Sequence, residues 1–204
     1  MNKEVRGTKG YIEVSDHFVN SVTSINFTEL HQPFIKFIPD SPAMILDVGA
    51  GIGRDASYLA QMGYSVVAVE PVDKFISEGR KLYNSPNIEW VRDSLPLLTS
   101  LNKHDNQFAF ILASAVWHHL DCQEQESAMR RIFNLLIPGG VFAVSLRHGP
   151  AGVGIQIFPT YGEQTISYAT SYGLKQLLYL SNQPSLLKGK KHVTWTKLVF
   201  QKTL

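Results

Sequence analysis

Short apolar runs alternate with amphipathic stretches along most of this chain, the pattern of an α/β layer fold. Met44–Val48 is a compact apolar run and predicts a first central strand. Gly49–Gly53 comes next as a tight turn. Arg54–Met62 predicts a helix closed at Gly63, with Ala56, Leu59 and Ala60 at helical spacing. Ser65–Val69 predicts a second buried strand, and Val72–Tyr83 a helix with Phe75 and Ile76 facing inward. Ile88–Val91 is a short third strand. After a polar turn at 102–107, Phe108–Ser114 is a fourth, apolar throughout. Gln123–Leu136 is a strongly amphipathic helix that Pro138-Gly139-Gly140 should stop, leaving Val141–Leu146 as a fifth strand.

The pattern changes after Arg147. Gly149–Gly154 reads as a glycine-rich loop and Glu163–Tyr172 as a helix ended by Gly173. Leu174–Leu180 and His192–Gln201 then predict an antiparallel pair of strands. Ahead of the first strand, Asp16–Leu30 has room for one or two short helices, and Pro33, Pro39 and Pro42 forbid a longer one. One domain is expected: a helical segment over 1–40, a core over 44–147, and a helix plus hairpin over 148–204.

Composition narrows the function. The 204 residues suit a single core. Nineteen Lys and Arg against seventeen Asp and Glu leave a formal charge of +2, so no general attraction to nucleic acid or anionic membrane is expected. The basic run Lys188–His192 lacks interleaved aromatic residues and reads as a solvated loop. A single cysteine, Cys122, permits neither an internal disulfide nor a cysteine metal site. Residues 1–11 are polar, without the apolar core of a signal peptide, and no apolar run reaches the ~18–20 residues of a membrane span. A cytoplasmic protein is expected.

The chemistry points to Ile45–Gly53, where a strand runs through Gly-x-Gly-x-Gly into a helix. Glycines there permit backbone angles closed to other residues and let a ligand lie against the main chain, and free amides at the helix start favour a polar or anionic group. The dinucleotide spacing Gly-x-Gly-x-x-Gly does not fit: from Gly49 its third glycine falls on Arg54, and from Gly51 on Ser57. Asp47, two residues before the first glycine, is placed to meet a cationic ligand group. Glu70 closes the second strand, about 20 residues past the turn, the offset at which a carboxylate meets the ribose hydroxyls of a bound nucleoside.

On Ile45–Gly53, Val66–Pro71, Val91-Arg-Asp-Ser94, Phe108–Leu120 and Leu135–Val144, the chain resembles the class I S-adenosylmethionine-dependent methyltransferases. The resemblance implies a Rossmann-like, doubly wound seven-stranded sheet of order 3-2-1-4-5-7-6 with strand 7 antiparallel. It implies S-adenosylmethionine as cofactor and S-adenosylhomocysteine as product. It implies that Asp47, Gly49, Ala50, Gly51 and Gly53 line the methionine end, and that Glu70 holds the ribose. Pro71 and Val72 would flank the adenine, Asp93 would bond its amino group, and Ser94 and Leu95 would lie beside the ring. Ser114 and Ala115 would lie near the sulfonium. Asp93 also suits a cap on the turn or helix after it. Leu112–Ala115 lacks the Asn/Asp-Pro-Pro-aromatic motif of methyltransferases acting on DNA or protein amides.

Methyl transfer from a sulfonium needs alignment more than acid–base machinery. His118 and His119, beyond the fourth strand, are candidates for a general base or for orienting substrate, or are loop packing. No third ligand joins them, so no metal site is expected. Arg147, after the fifth strand, can clamp a carboxylate or phosphate, or is simply a surface charge. Tyr11 and the segment Asp16–Leu30 suit a lid, and Trp117 suits either the acceptor pocket or the core. The expected partner is a small-molecule acceptor. The alternatives are an RNA or protein methyltransferase, a non-catalytic binding subunit of the same fold, and a nicotinamide reductase, the last disfavoured by the glycine spacing and a missing Tyr-x-x-x-Lys.

Overall fold

The structure, a computed structural model, describes residues 5–11, 25–152, 155–187 and 189–203. The first part of the Asp16–Leu30 segment, the end of the Gly149–Gly154 loop and Lys188 of the basic run lie outside the described residues. Seven strands form one sheet: β1 (Met44–Val48), β2 (Ser65–Val69), β3 (Ile88–Val91), β4 (Phe108–Ala113), β5 (Leu136–His148), β6 (Leu174–Pro184) and β7 (Thr194–Lys202). Their order is β3-β2-β1-β4-β5-β7-β6. β1 to β5 pair in parallel, and β7 runs antiparallel to both its neighbours. This is the Rossmann-like sheet that the sequence implied.

Alternation along the strands builds two separate cores. Leu46, Val48, Val67 and Val69 face one side, where Met129, Ile132 and Leu135 of helix α4 (Cys122–Leu135) cover them. Ile45, Val66 and Ala68 face the other, beneath Ala56, Leu59 and Ala60 of α2 (Arg54–Gln61) and beneath Phe27 of the single-turn α1 (Phe27–Leu30). With both faces buried, the central strands read as continuous apolar runs rather than alternating ones. Helices α3 (Asp73–Leu82) and α5 (Gly162–Ser171) complete the layers. Among the described residues, no helix is long and apolar enough to cross a membrane.

Strands β1 to β4 and their helices begin and end within one or two residues of the expected positions. β5 does not. Helix α4 stops at Leu135, and β5 starts at once at Leu136, carrying Pro138-Gly139-Gly140 inside the strand instead of ahead of it. Gly139 takes φ +77°, and the β4–β5 register shifts between Phe108 and Phe110, so the Pro-Gly-Gly run is absorbed as an irregularity of the ladder. β6 and β7 also reach further than expected, to Pro184 and Lys202.

The two ends of α4 are fixed by side chains distant in sequence. Asp121 and Glu124 form a reciprocal capping box, and Arg6 bonds to both carboxylates. At the other end, Lys202 Nζ donates to Phe133 O and Leu136 O at 2.9 Å each, and to Asn106 Oδ1 at 2.7 Å. Lys202→Met leaves those acceptors unpaired in a largely buried place. It is expected to cost about 1–3 kcal/mol of stability in urea unfolding. An unchanged midpoint would remove Lys202 from the role of clasp.

Candidate active site

A cavity of about 890 Å³ opens at the C-terminal ends of the parallel strands, where α/β sheets hold their ligands. Every residue implicated from sequence in cofactor binding or catalysis lines it except Gly53.

The turn after β1 works differently from the sequence expectation. The amides of Gly49 and Ala50 both donate to Val69 O, at 2.8 and 2.9 Å, and the amide of Gly51 donates to Glu70 Oε2 at 2.9 Å. These donors serve the fold and are not free for a ligand, because the bend doubles back on the end of β2. The glycines are required nonetheless. Gly49 takes φ +69°, and a Cβ there would lie 2.3 Å from Val116 Cγ2. Gly53, at φ +83°, packs against Trp90, behind the turn and away from the cavity.

Carboxylates dominate this end. Glu70 is only 5% exposed, and Oε1 accepts from Val72 N at 2.9 Å. Burial pushes its carboxyl up to about 7, against the pull of the Val72 and Gly51 amides. Each oxygen keeps a lone pair beyond its amide bond, which suits a pair of vicinal hydroxyls. Asp47 is 2% exposed, and its Oδ2 has no hydrogen-bond partner among the described residues. Burial first, then the charge of Asp55, raises the Asp47 carboxyl well above its ordinary range. Burial also opposes the charge on Asp55. There His31 Nε2, donating at 2.8 Å, and Arg54, at 2.6 and 2.9 Å, outweigh it and hold the carboxyl low.

Asp93 lines the cavity and also clamps the next turn: Oδ1 accepts from Ser94 N and Oδ2 from Ser100 N, both at 2.7 Å. The chain beyond it forms a turn and a 3-10 helix at Thr99–Leu101. Past β4, Ala115 adopts φ +58°, unusual for a residue with a side chain, and its amide donates to Ser145 Oγ at 2.9 Å. This bend sets Val116 against Gly49.

At the other end stand His118, His119 and Arg147. His119 Nδ1 donates to Gln156 O at 3.1 Å, which leaves Nε2 to accept from the Tyr11 hydroxyl, also at 3.1 Å. Burial lowers the His119 imidazole, and burial raises the Tyr11 phenol to about 12. His118 is buried and its Nδ1 has no partner among the described residues; burial and the nearby His119 and Arg147 drive its imidazole well down. Both rings are therefore neutral near pH 7. Trp117, by contrast, is fully buried in the core and does not reach the acceptor end. Val5 to Thr8 and Tyr11 contribute to the lining, held by Arg6 on Asp121, by Tyr11 on His119 and by Gly7, where a Cβ would lie 2.6 Å from His119 Cβ. Sequence reading missed the Tyr11–His119 and His31–Asp55 pairs, because each joins segments with no local signal between them. Among the described residues no cluster of three metal-type side chains occurs.

The residues present suit a sulfonium nucleoside bearing an amino acid. The buried Asp47 oxygen lacks a donor that an ammonium would supply, and Glu70 offers acceptors to a ribose. Fold and site together define a nucleoside-binding domain of the Rossmann-like type. Residues 45–140 match the methyltransferase domain family, and the seven-stranded sheet is the Rossmann-like methyltransferase fold. An uncharacterized methyltransferase of Synechocystis is 29% identical over 122 residues, 59% of this chain and 55% of that protein. The chain thus spans about half the length of the curated relatives it matches. Burkholderia thailandensis 1,6-didemethyltoxoflavin-N1-methyltransferase, solved with its substrate and S-adenosylhomocysteine, superposes with a TM-score of 0.68 at 18% identity, covering 96% of this chain and 87% of that one. The [4+2]-cyclase SpnF superposes at 0.74 with 14% identity, covering 98% of each. The same fold therefore serves more than one chemistry.

Proposed function

We propose that this chain transfers a methyl group from S-adenosylmethionine to a small molecule. The carrying observation is one continuous cavity with the Asp47 and Glu70 carboxylates at one end and two neutral histidines beside Arg147 at the other. When bound, S-adenosylmethionine supplies an electrophilic methyl on a good leaving group. Asp47 would hold its ammonium, with Gly49, Ala50 and Gly51 as the wall, and Glu70 its ribose. Pro71, Val72, Asp93, Ser94 and Leu95 would surround the adenine, and Ser114 and Ala115 would stand nearest the sulfur.

On the acceptor side the chain aligns and dries the site. Val5 to Thr8 and Tyr11 contribute to its lining. His119, with Nε2 already accepting the Tyr11 hydroxyl, is the group positioned to take a proton by way of that phenol. The toxoflavin-precursor enzyme, whose fold this chain shares, acts on a small molecule, which supports the same class here. The test is a metabolite panel assayed for S-adenosylhomocysteine release. Release with a small acceptor is expected. Release only with RNA or protein substrates would replace the small-molecule reading. Rearrangement of an acceptor without release would place the chain with the cyclase in chemistry.

A further inference from the structure

The acceptor end of the cavity carries positive charge that methyl transfer itself does not use. Arg147 reaches it from β5, and Lys190 from the β6–β7 connection. Gly152 lies between them: a Cβ there would stand 3.3 Å from Lys190 Nζ and 3.7 Å from Arg147 Nη2. The two nitrogens therefore lie no more than 7.0 Å apart, a span that the oxygens of one oxyanion can bridge. Neither cation is paired with a carboxylate among the described residues. The hydrogen bond of the Arg147 side chain is a long one to Gly149 O, at 3.4 Å. Of the acids lining the cavity, Glu124 is engaged by Arg6, Asp93 accepts from the Ser94 and Ser100 amides, and Asp47, Asp55 and Glu70 stand at the cofactor end. The walls here are apolar, with Trp195 set edge-on to His118 at 6.4 Å and Ile157 and Leu187 beside them. His118 adds a buried ring nitrogen with no partner among the described residues.

We propose that the acceptor is a small oxyanion on an apolar body, its carboxylate or phosphate gripped between Arg147 and Lys190. Arg147 supplies a planar fork suited to either oxyanion, and Lys190 a mobile point charge. Both cations lie half-buried in an apolar end, where an unpaired charge is held at a cost that an anion relieves. This inference rests on the reading that the other half of the cavity holds the methyl donor.

The test is ligand-observed NMR titration of the whole chain with benzoate, phenyl phosphate and the neutral benzamide, with and without saturating S-adenosylhomocysteine. At least one anion is expected to bind about tenfold or more tighter than benzamide, and which one separates a carboxylate from a phosphate acceptor. Arg147→Gln and Lys190→Gln should each erase most of that preference while S-adenosylhomocysteine affinity stays unchanged. Lys190 lies in a connection outside both cores, so its variant reports even if Arg147→Gln unfolds. Equal binding of benzamide, no binding of any probe, or a preference surviving both substitutions overturns the clamp. Tighter binding of a short oligonucleotide than of phenyl phosphate overturns it too. If S-adenosylhomocysteine fails to bind while the anion preference persists, the clamp stands and the methyl-transfer reading falls.

Discussion

Gly49→Ala is expected to abolish measurable S-adenosylhomocysteine binding, a loss beyond about 100-fold, and to cost roughly 2–4 kcal/mol of stability. Two penalties act together. The backbone at φ +69° is strained for any residue with a β-carbon, and the added methyl would lie 2.3 Å from Val116 Cγ2. Relief requires the turn to move, and the turn carries Gly51, whose amide fixes Glu70. The double variant Gly49→Ala, Val116→Ala removes the clash and keeps the backbone cost, so it should recover part of the stability. Normal binding by Gly49→Ala, seen by calorimetry on folded protein, would show that the turn does not shape the site.

Glu70→Ala is expected to weaken S-adenosylhomocysteine binding by roughly 1–3 kcal/mol, the scale of lost charged hydrogen bonds. A pH dependence accompanies it. The carboxylate binds ribose as the anion, and burial has raised its carboxyl from 4.5 to about 7. Affinity should therefore fall as pH drops below about 7, and the Ala variant should lose Glu70's share of that slope while keeping the share of the raised Asp47 carboxyl. The effect on the empty fold has the opposite sign. A raised carboxyl stabilises the fold when protonated, so this contribution is complete below 4.5, shrinks as pH rises, and is gone above about 7. Ligand binding and empty-fold stability thus pull Glu70 in different directions. An Ala variant with unchanged affinity and an unchanged pH slope would take Glu70 out of the site.

Much of the fold was legible in the chain because the signals are local. β1, β2 and β4 are buried on both faces, so their apolar runs stand out. The glycine turn and Glu70 lie at fixed offsets from β1 and β2. What stayed hidden depends on distant partners. Lys202 ends α4 from the last strand, which lets β5 begin at Leu136 with Pro138 inside it. The turn amides looked available because Val69 O, their acceptor, lies on another strand. Trp117, beside two histidines, had no local mark separating core from pocket, and the fold places it against Phe142. Tyr11 meets His119 across 108 positions, and no periodicity predicts such a pairing.

The most direct measurement is calorimetric titration of the purified chain with S-adenosylhomocysteine between pH 6 and 8. One site per chain is predicted, weakening toward pH 6, with adenosine alone binding less tightly because it leaves Asp47 without its ammonium. No heat at millimolar nucleoside, or adenosine binding as well as the full ligand, would contradict a site built on Asp47 and Glu70.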